Sequence, residues 1–258
     1  MRESHQRWIP LLGKIADRAD SIALRFFRSP TLAVAKKGDR SPVSEADRSI
    51  EEVAREIARR DEPSLGFLGE ESGEEQGAGE ARIICDPIDG TENFVSGIPI
   101  FATLLGIEER GEIVAGLVSA PALCLRWQAS RGNGARCGDR RLYVSRVATI
   151  AAAQVFHSDL SFDGDFLRPR GFALLLARAR RSRGFGDFYQ HLLVAEGAGE
   201  IAFDPVVKPW DVSPLQVIVE EAGGRATTIE GERTIYGGRL VTSTGLLHEE
   251  ALRILRNG

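Results

Sequence analysis

Two aspartates three residues apart, Asp86 and Asp89, stand in the stretch Asp86-Pro87-Ile88-Asp89-Gly90-Thr91-Glu92-Asn93-Phe94, directly after the apolar run Ile83-Ile84-Cys85. The apolar run reads as a buried strand, so both carboxylates fall where that strand ends and the chain turns. Two anions held that close resist joint ionisation unless something positive lies between them. The four histidines, His5, His157, His191 and His248, form no metal-spaced set. Oxygen donors alone favour a hard ion such as magnesium over zinc. Gly90 and Thr91 complete the turn and offer backbone N–H groups and a hydroxyl to a phosphate oxygen. A plainer reading stands beside this one, an Asp-rich turn that only caps its strand.

Other acids sit at element ends. Glu70 follows Phe67-Leu68-Gly69 at a strand end, as Asp86 does. Asp47 closes Ser44-Glu45-Ala46-Asp47, which reads as a capping box opening a helix. Asp211 precedes an apolar helical run and serves equally as an N-cap. Asp187, after Gly186, reads as a second helix start, and Asp204-Pro205 as a turn. The glycine-rich, acidic run 71–80 is expected to be a mobile surface loop, anchored by Glu70, that closes over the site with magnesium.

These side chains need a scaffold, and the chain is long enough to bury a core. Its 258 residues suit one domain of two tightly joined halves, 1–145 and 146–258. With 43% hydrophobic and 27% charged residues it has the composition of a soluble globular protein. A net charge of −4 gives no footprint for nucleic acid; the locally basic stretch 178–183 reads as a solvated helix end. Three scattered cysteines make no disulfide framework and fit a reducing cytoplasm. No signal peptide or membrane span is expected.

Trp8, Leu11, Leu12, Ile15, Ala19, Ile22 and Phe26 recur at helical spacing, and Ile50, Val53 and Ile57 mark a second helix after a polar loop. Apolar strands over 101–108 and 113–120 read as a hairpin, with a third strand over 123–129. The glycine turn Arg131-Gly132-Asn133-Gly134 lacks the third glycine and the following helix of a dinucleotide fingerprint. Further on, strands near 154–156, 201–203, 225–228 and 240–242 alternate with helices near 172–176, 186–196, 212–222 and 247–255. Interleaving of this kind predicts layered α/β packing.

Taken together, Gly69-Glu70-Glu71, the 86–91 motif, and Trp210-Asp211 followed by Glu221-Ala222-Gly223-Gly224 resemble the inositol monophosphatase family. Residues 41–47 extend the resemblance towards the start, so that it covers nearly the whole chain. It implies a layered αβαβα sandwich of the inositol monophosphatase and sugar phosphatase type, a homodimer, and a phosphomonoesterase using two or three magnesium ions, with lithium as an inhibitor. Glu70, Asp86, the carbonyl of Ile88, Asp89 and Asp211 would bind metal. Asp47, Thr91 and Glu70 would be catalytic, Asp47 and Thr91 as a hydrogen-bonded pair, and Gly90 and Thr91 would hold the phosphate.

The second half narrows the ester. Residues 181–188, Arg-Ser-Arg-Gly-Phe-Gly-Asp-Phe, and residues 118–123 with Trp127 are similar to the histidinol-phosphate phosphatase branch. A substrate carrying an ammonium and an imidazole calls for carboxylates, which Asp187, Asp204 and Asp89 would supply. The alternatives are an inositol-1-phosphate or other sugar-phosphate phosphatase and, in a different class, an RNA-polymerase-associated regulator of the same fold.

Overall fold

In the computed structural model, residues 5–30, 32–36, 42–158 and 171–257 are described. Of the polar loop expected over 36–43, residues 37–41 lie outside them, as does Ser41 of the 41–47 resemblance, while Lys36, Pro42 and Val43 are paired strand residues rather than loop. Helices are α1 (Ile9–Phe26), α2 (Glu45–Asp61), α3 (Thr91–Val95), α4 (Phe172–Arg178), α5 (Asp187–Ala195), α6 (Pro209–Glu221) and α7 (His248–Asn257). A ribbon of β1 (Val34–Lys36) and β2 (Pro42–Ser44) precedes the main sheets. The first half continues with β3 (Gly66–Gly69), β4 (Gly73–Glu75), β5 (Ala81–Asp89), β6 (Ala102–Glu109), β7 (Glu112–Ala120), β8 (Leu125–Ser130), β9 (Gly134–Cys137) and β10 (Arg140–Arg141). The second half adds β11 (Gln154–His157), β12 (Arg181–Gly184), β13 (Ile201–Asp204), β14 (Gly224–Thr227) and β15 (Leu240–Thr244).

Two sheets result, of order β10-β9-β8-β7-β6-β5-β3-β4 and β12-β11-β13-β15-β14. The stripe of Leu12, Ile15 and Ala16 on α1 joins Ala54 and Ile57 of α2 against Ile83, Leu105 and Leu117 on one face of the larger sheet. Its other face packs Leu104, Val118 and Trp127 against Leu192 of α5 and Leu215 and Ile218 of α6. Beyond the smaller sheet, Phe172 and Leu175 of α4 and Leu252 and Leu255 of α7 cover Val155, Ile201 and Val241. The layers therefore run helix, sheet, helix, sheet, helix, as the resemblance implies. Each fully buried Leu, Ile or Phe in these seams contributes about 1.5–3 kcal/mol relative to exposure.

The seam under α6 matters most for the site. A Cβ at Gly106 would lie 2.4 Å from Ser213 Oγ, and one at Gly116 would lie 2.7 Å from Pro214 Cα. Two glycines on adjacent strands thus let the first turns of α6 rest directly on the sheet. That contact fixes the height at which Asp211 stands.

The expected hairpin forms with Glu109 opposite Glu112. Its tip, Arg110 (φ 54°) and Gly111 (φ 78°), is left-handed at both positions, matching the twist of the strands it joins. Other expectations need correction. The third strand begins at Leu125, because Pro121–Leu123 makes a single 3-10 turn. The basic stretch 178–183 ends a helix at Arg178 but then forms β12, an edge strand parallel to β11. Its Arg-Ser-Arg-Gly sequence has no apolar alternation because the strand is largely exposed, and charge of this kind blunts an edge against further pairing. Within 71–80, expected to be a loop throughout, Gly73–Glu75 pairs antiparallel with β3. Its acids are held by arginines, Glu75 by Arg55 and Arg59, Glu74 by Arg82, and Glu80 by Arg110. No helix among the described residues is long and apolar enough to cross a membrane.

Candidate metal and substrate centre

The register of β3 and β5 brings the first two acids together. These strands are parallel with Gly69 opposite Cys85, so Glu70 and Asp86 leave adjacent strands at one level. The Glu70 N–H donates to the Cys85 carbonyl at 3.2 Å, continuing the ladder one step into the turn.

Asp89 joins them through an irregularity. In a regular strand, residues three apart face opposite sides. Here Asp86 pairs with Leu104 and Asp89 with Ala102, so β5 carries one more residue than β6 over this interval. The extra residue of this bulge returns Asp89 to the side of Asp86. Thr103 Oγ1 donates to the Pro87 carbonyl at 2.8 Å, which pairs the oxygen that the bulge takes out of the ladder.

Asp211 arrives from the other half, in the first turn of α6. The N-cap reading is corrected: the helix begins at Pro209, whose missing N–H costs nothing in a first turn, and Asp211 is its third residue. Its Oδ2 accepts from the Lys208 N–H at 2.7 Å. One oxygen each of Asp86, Asp89 and Asp211 then lies within 4.8 Å of the others.

Asp86 and Asp89 are 3% and 9% exposed. Burial, then repulsion from Glu70, Asp89 and Asp211, holds the Asp86 carboxyl well above the usual range. Burial, then Asp187 and Asp211, does the same for Asp89, against the hydrogen bond from the Phe188 N–H at 2.7 Å. Asp211 is pushed up to about 7, mainly by burial. Asp86 Oδ1 is buried with no hydrogen-bond partner. A trio of two buried carboxylates and one half-buried one, with a lone pair left unsatisfied, fits a bound hard cation, which would satisfy that oxygen and let all three ionise. Glu70 stands outside the trio, near enough to raise the pKa of Asp86.

The turn itself is tight. Gly90 adopts φ 79°, and a Cβ there would lie 2.9 Å from the Ile100 carbonyl. Thr91 Oγ1 donates to the Ile88 carbonyl at 2.9 Å. Asp47, 1% exposed, accepts at Oδ2 from the Ser44 N–H (2.8 Å) and hydroxyl (2.5 Å), completing the capping box. Burial pushes its carboxyl up to about 6 against those bonds. The expected Asp47–Thr91 bond is not among those formed. The Thr91 proton goes to Ile88, and the Asp47 Oδ2 is taken by Ser44.

Beside the trio lies a cavity of about 60 Å³ lined in part by Asp89, Asp187, His191, Asp204 and Asp211. Asp187 opens α5 with a left-handed backbone, φ 50°, and is pushed up to about 6 by burial. Asp204 ends β13, 9% exposed, and is pushed up to about 7 by burial and then by Asp187. His191 forms one wall. Its ring is held near 3 by burial, with Nδ1 2.8 Å from Thr242 Oγ1. Two further residues escaped the sequence reading. Asn93 sits inside the central motif with no apparent chemistry. Glu51 lies one helical turn beyond Asp47, and that i, i+4 spacing was its only signal.

A five-layer α/β sandwich with an acidic cluster where its strands end defines the sugar phosphatase class of fold. Residues 6–258 match the inositol monophosphatase family, and the chain belongs to it. The family is metal-dependent. The histidinol-phosphatase of Mycobacterium tuberculosis is 43% identical over 250 residues, covering 95% of this chain and 96% of the relative. That of Streptomyces coelicolor is 40% identical, covering 93% and 94%. Among solved structures, the extragenic suppressor protein suhB from Bartonella henselae superposes with a TM-score of 0.90 at 30% identity, covering 97% of this chain and 98% of that one.

Proposed function

We propose that the chain is a magnesium-dependent phosphomonoesterase that hydrolyses histidinol phosphate to histidinol and phosphate. The observation that carries this reading is the pairing of the Asp86–Asp89–Asp211 trio with a cavity whose wall adds Asp187 and Asp204. One cluster suits a cation and the phosphate it neutralises; the other suits a positively charged leaving alcohol. The names of the two histidinol-phosphatase relatives support the same ester.

Glu70, Asp86, the Ile88 carbonyl, Asp89 and Asp211 would hold the metal. When bound, magnesium supplies the positive charge that neutralises the phosphate and makes water a better nucleophile. Asp47 would take the proton of the attacking water at Oδ1, since Ser44 already engages Oδ2. A carboxyl near 6 is mostly ionised at neutral pH and so is ready to accept it. Thr91, through its bond to Ile88, would hold the carbonyl of that turn in place, and the Gly90 and Thr91 N–H groups would meet the phosphate. Asp187, Asp204 and Asp89 would bind the alcohol. We further propose a single domain of halves 1–145 and 146–258, acting as a cytoplasmic homodimer in histidine biosynthesis.

Phosphate release from histidinol phosphate and from inositol-1-phosphate, with magnesium and then with chelator, tests the reading. A preference in kcat/KM for histidinol phosphate of about 100-fold, lost with chelator, is expected; about 2.7 kcal/mol separates the two transition states in that case. Preference for inositol phosphate would overturn the substrate. Equal activity with chelator would overturn the metal.

A further inference from the structure

Two hydrogen bonds run from the central motif to the start of α5, and only one of them ends on a residue already given a role there. The Phe188 N–H reaches Asp89 Oδ2 at 2.7 Å. Next to it, the Asn93 amide Nδ2 lies 3.0 Å from Asp187 Oδ2 and 3.0 Å from the Ile100 carbonyl. A primary amide has two N–H donors, so both bonds form at once and the side chain is pinned at two points. We infer that Asn93 is the positioning residue for Asp187, setting where a carboxylate for the substrate's positive charge stands relative to the phosphate end of the site.

The backbone at Asp187 shows why such a tether is needed. Gly186 (φ 74°, ψ 177°) and Asp187 (φ 50°) are consecutive positive-φ residues at the start of α5. A non-glycine residue persists there only where its surroundings hold it. The α5 N-cap, Gly186, has no side chain to help. The closeness of the motif supplies the hold. A Cβ on Gly90 would lie 3.2 Å from Asp187 Oδ2 and 3.5 Å from Asn93 Nδ2, so the glycine leaves room for amide and carboxylate to meet. Asn93 and Asp187 belong to different halves of the chain, 94 residues apart. Their bond therefore ties the spacing between phosphate and alcohol subsites to the turn that carries Asp89.

This inference rests on the histidinol phosphate reading, and its test separates the two. Wild type, Asn93→Ala, Asp187→Ala and the double variant are compared on histidinol phosphate and on glycerol-2-phosphate, a neutral-alcohol ester, under saturating magnesium. The quantity read is the ratio of the two kcat/KM values. Asn93→Ala should lower it about tenfold, mostly through KM for histidinol phosphate, the lower range for losing a hydrogen bond to a charged group. In the Asp187→Ala background the same substitution should leave the ratio unchanged, since Asn93 acts through that carboxylate. Asn93→Ser, which keeps a shorter donor, should recover part of the ratio and guards against misfolding of the alanine variant. A wild-type preference that Asn93→Ala leaves intact, or lowers equally in both backgrounds, overturns the inference alone. A wild type with no preference overturns the substrate reading and this inference with it.

Discussion

Glu51 is the buried carboxylate whose removal should be felt furthest from where it stands. It is 2% exposed, on the face of α2 that also carries Asp47. Its Oε2 accepts from the Glu71 N–H at 2.8 Å; its Oε1 accepts from the Ser72 N–H at 3.0 Å, from Arg55 at 3.2 Å and from the Ser72 hydroxyl. These donors all lie in or beside the turn that follows Glu70. A Cβ at Gly69 would fall 2.4 Å from the Glu51 carboxyl carbon, so the strand end is shaped around this group. Glu51 is thus the anion on which the Glu70–Ser72 turn folds.

Hydrogen bonds to a charged group contribute about 1.5–3 kcal/mol each, but bonds sharing one carboxylate do not add. Removing one partner of a buried ion pair costs about 3–5 kcal/mol, much of it from the charge left behind. Arg55 keeps Glu75 at 3.2 Å and is not stranded, which sets the expectation for Glu51→Ala at the lower end, about 3 kcal/mol. Glu51→Gln keeps the acceptors at one position but turns an N–H towards that of Glu71, and should cost about 1–2 kcal/mol. Urea unfolding reads both as a shift of midpoint with unchanged slope. Because the displaced turn carries Glu70, both variants should also need more magnesium for half-maximal activity. A Glu51→Ala protein that unfolds within about 0.5 kcal/mol of wild type would refute this account, since additive surface changes produce no more than that.

Three other variants probe separate parts of the site and its support. Thr103→Val, which leaves the Pro87 carbonyl of the bulge unpaired, should lose about 1–3 kcal/mol in urea unfolding and weaken magnesium binding by calorimetry; unchanged magnesium affinity would show that the bulge does not depend on that bond. Asp47→Asn keeps an acceptor for Ser44, so it should cost under about 1 kcal/mol of stability while turnover falls at least about 100-fold under saturating magnesium; normal turnover would remove Asp47 from the mechanism. His248 is fully buried between Thr227 Oγ1 and Ser243 Oγ, and burial, then Arg225, lowers its pKa from 6.5 to about 4. The neutral ring therefore contributes stability that is present above pH 6.5 and lost as pH falls towards 4, about 3 kcal/mol in all. Urea unfolding between pH 7.5 and 4.5 should show a shallower decline for His248→Gln, and an identical decline would refute the assignment.

What could be read from the sequence divides along a physical line. Local chemistry was legible. The Ser44–Asp47 box, the hairpin tip at Arg110-Gly111 and the stripe on α1 each depend on residues within a turn or two of one another. Chemistry created by neighbouring strands was not. β12 carries no apolar alternation and is a strand only because β11 lies beside it, while β4 is one because β3 does. Glu51 and Asn93 matter through partners 20 and 94 residues away, at spacings no local pattern encodes.

Asp86 and Asp89 show the division within a single motif. Spacing alone puts Asp86 and Asp89 on opposite faces of a strand, which would argue against a shared cation. The residue that resolves the contradiction is Pro87. It has no N–H to give a ladder, and inside a sheet it is confined to edges, strand starts and bulges. Pro87 lies inside β5 rather than at its start; the pairing with β3 ends at Cys85, while the pairing with β6 continues to Asp89 across a register shift between Asp86 and Asp89. That shift is a bulge, and a bulge is what turns the second carboxylate round to the first. The signal was present in the Asp-Pro dipeptide, but it becomes an argument only once the pairing on either side of it is known. The positions of the two carboxylates are therefore a property of the sheet's topology, expressed through one missing hydrogen-bond donor.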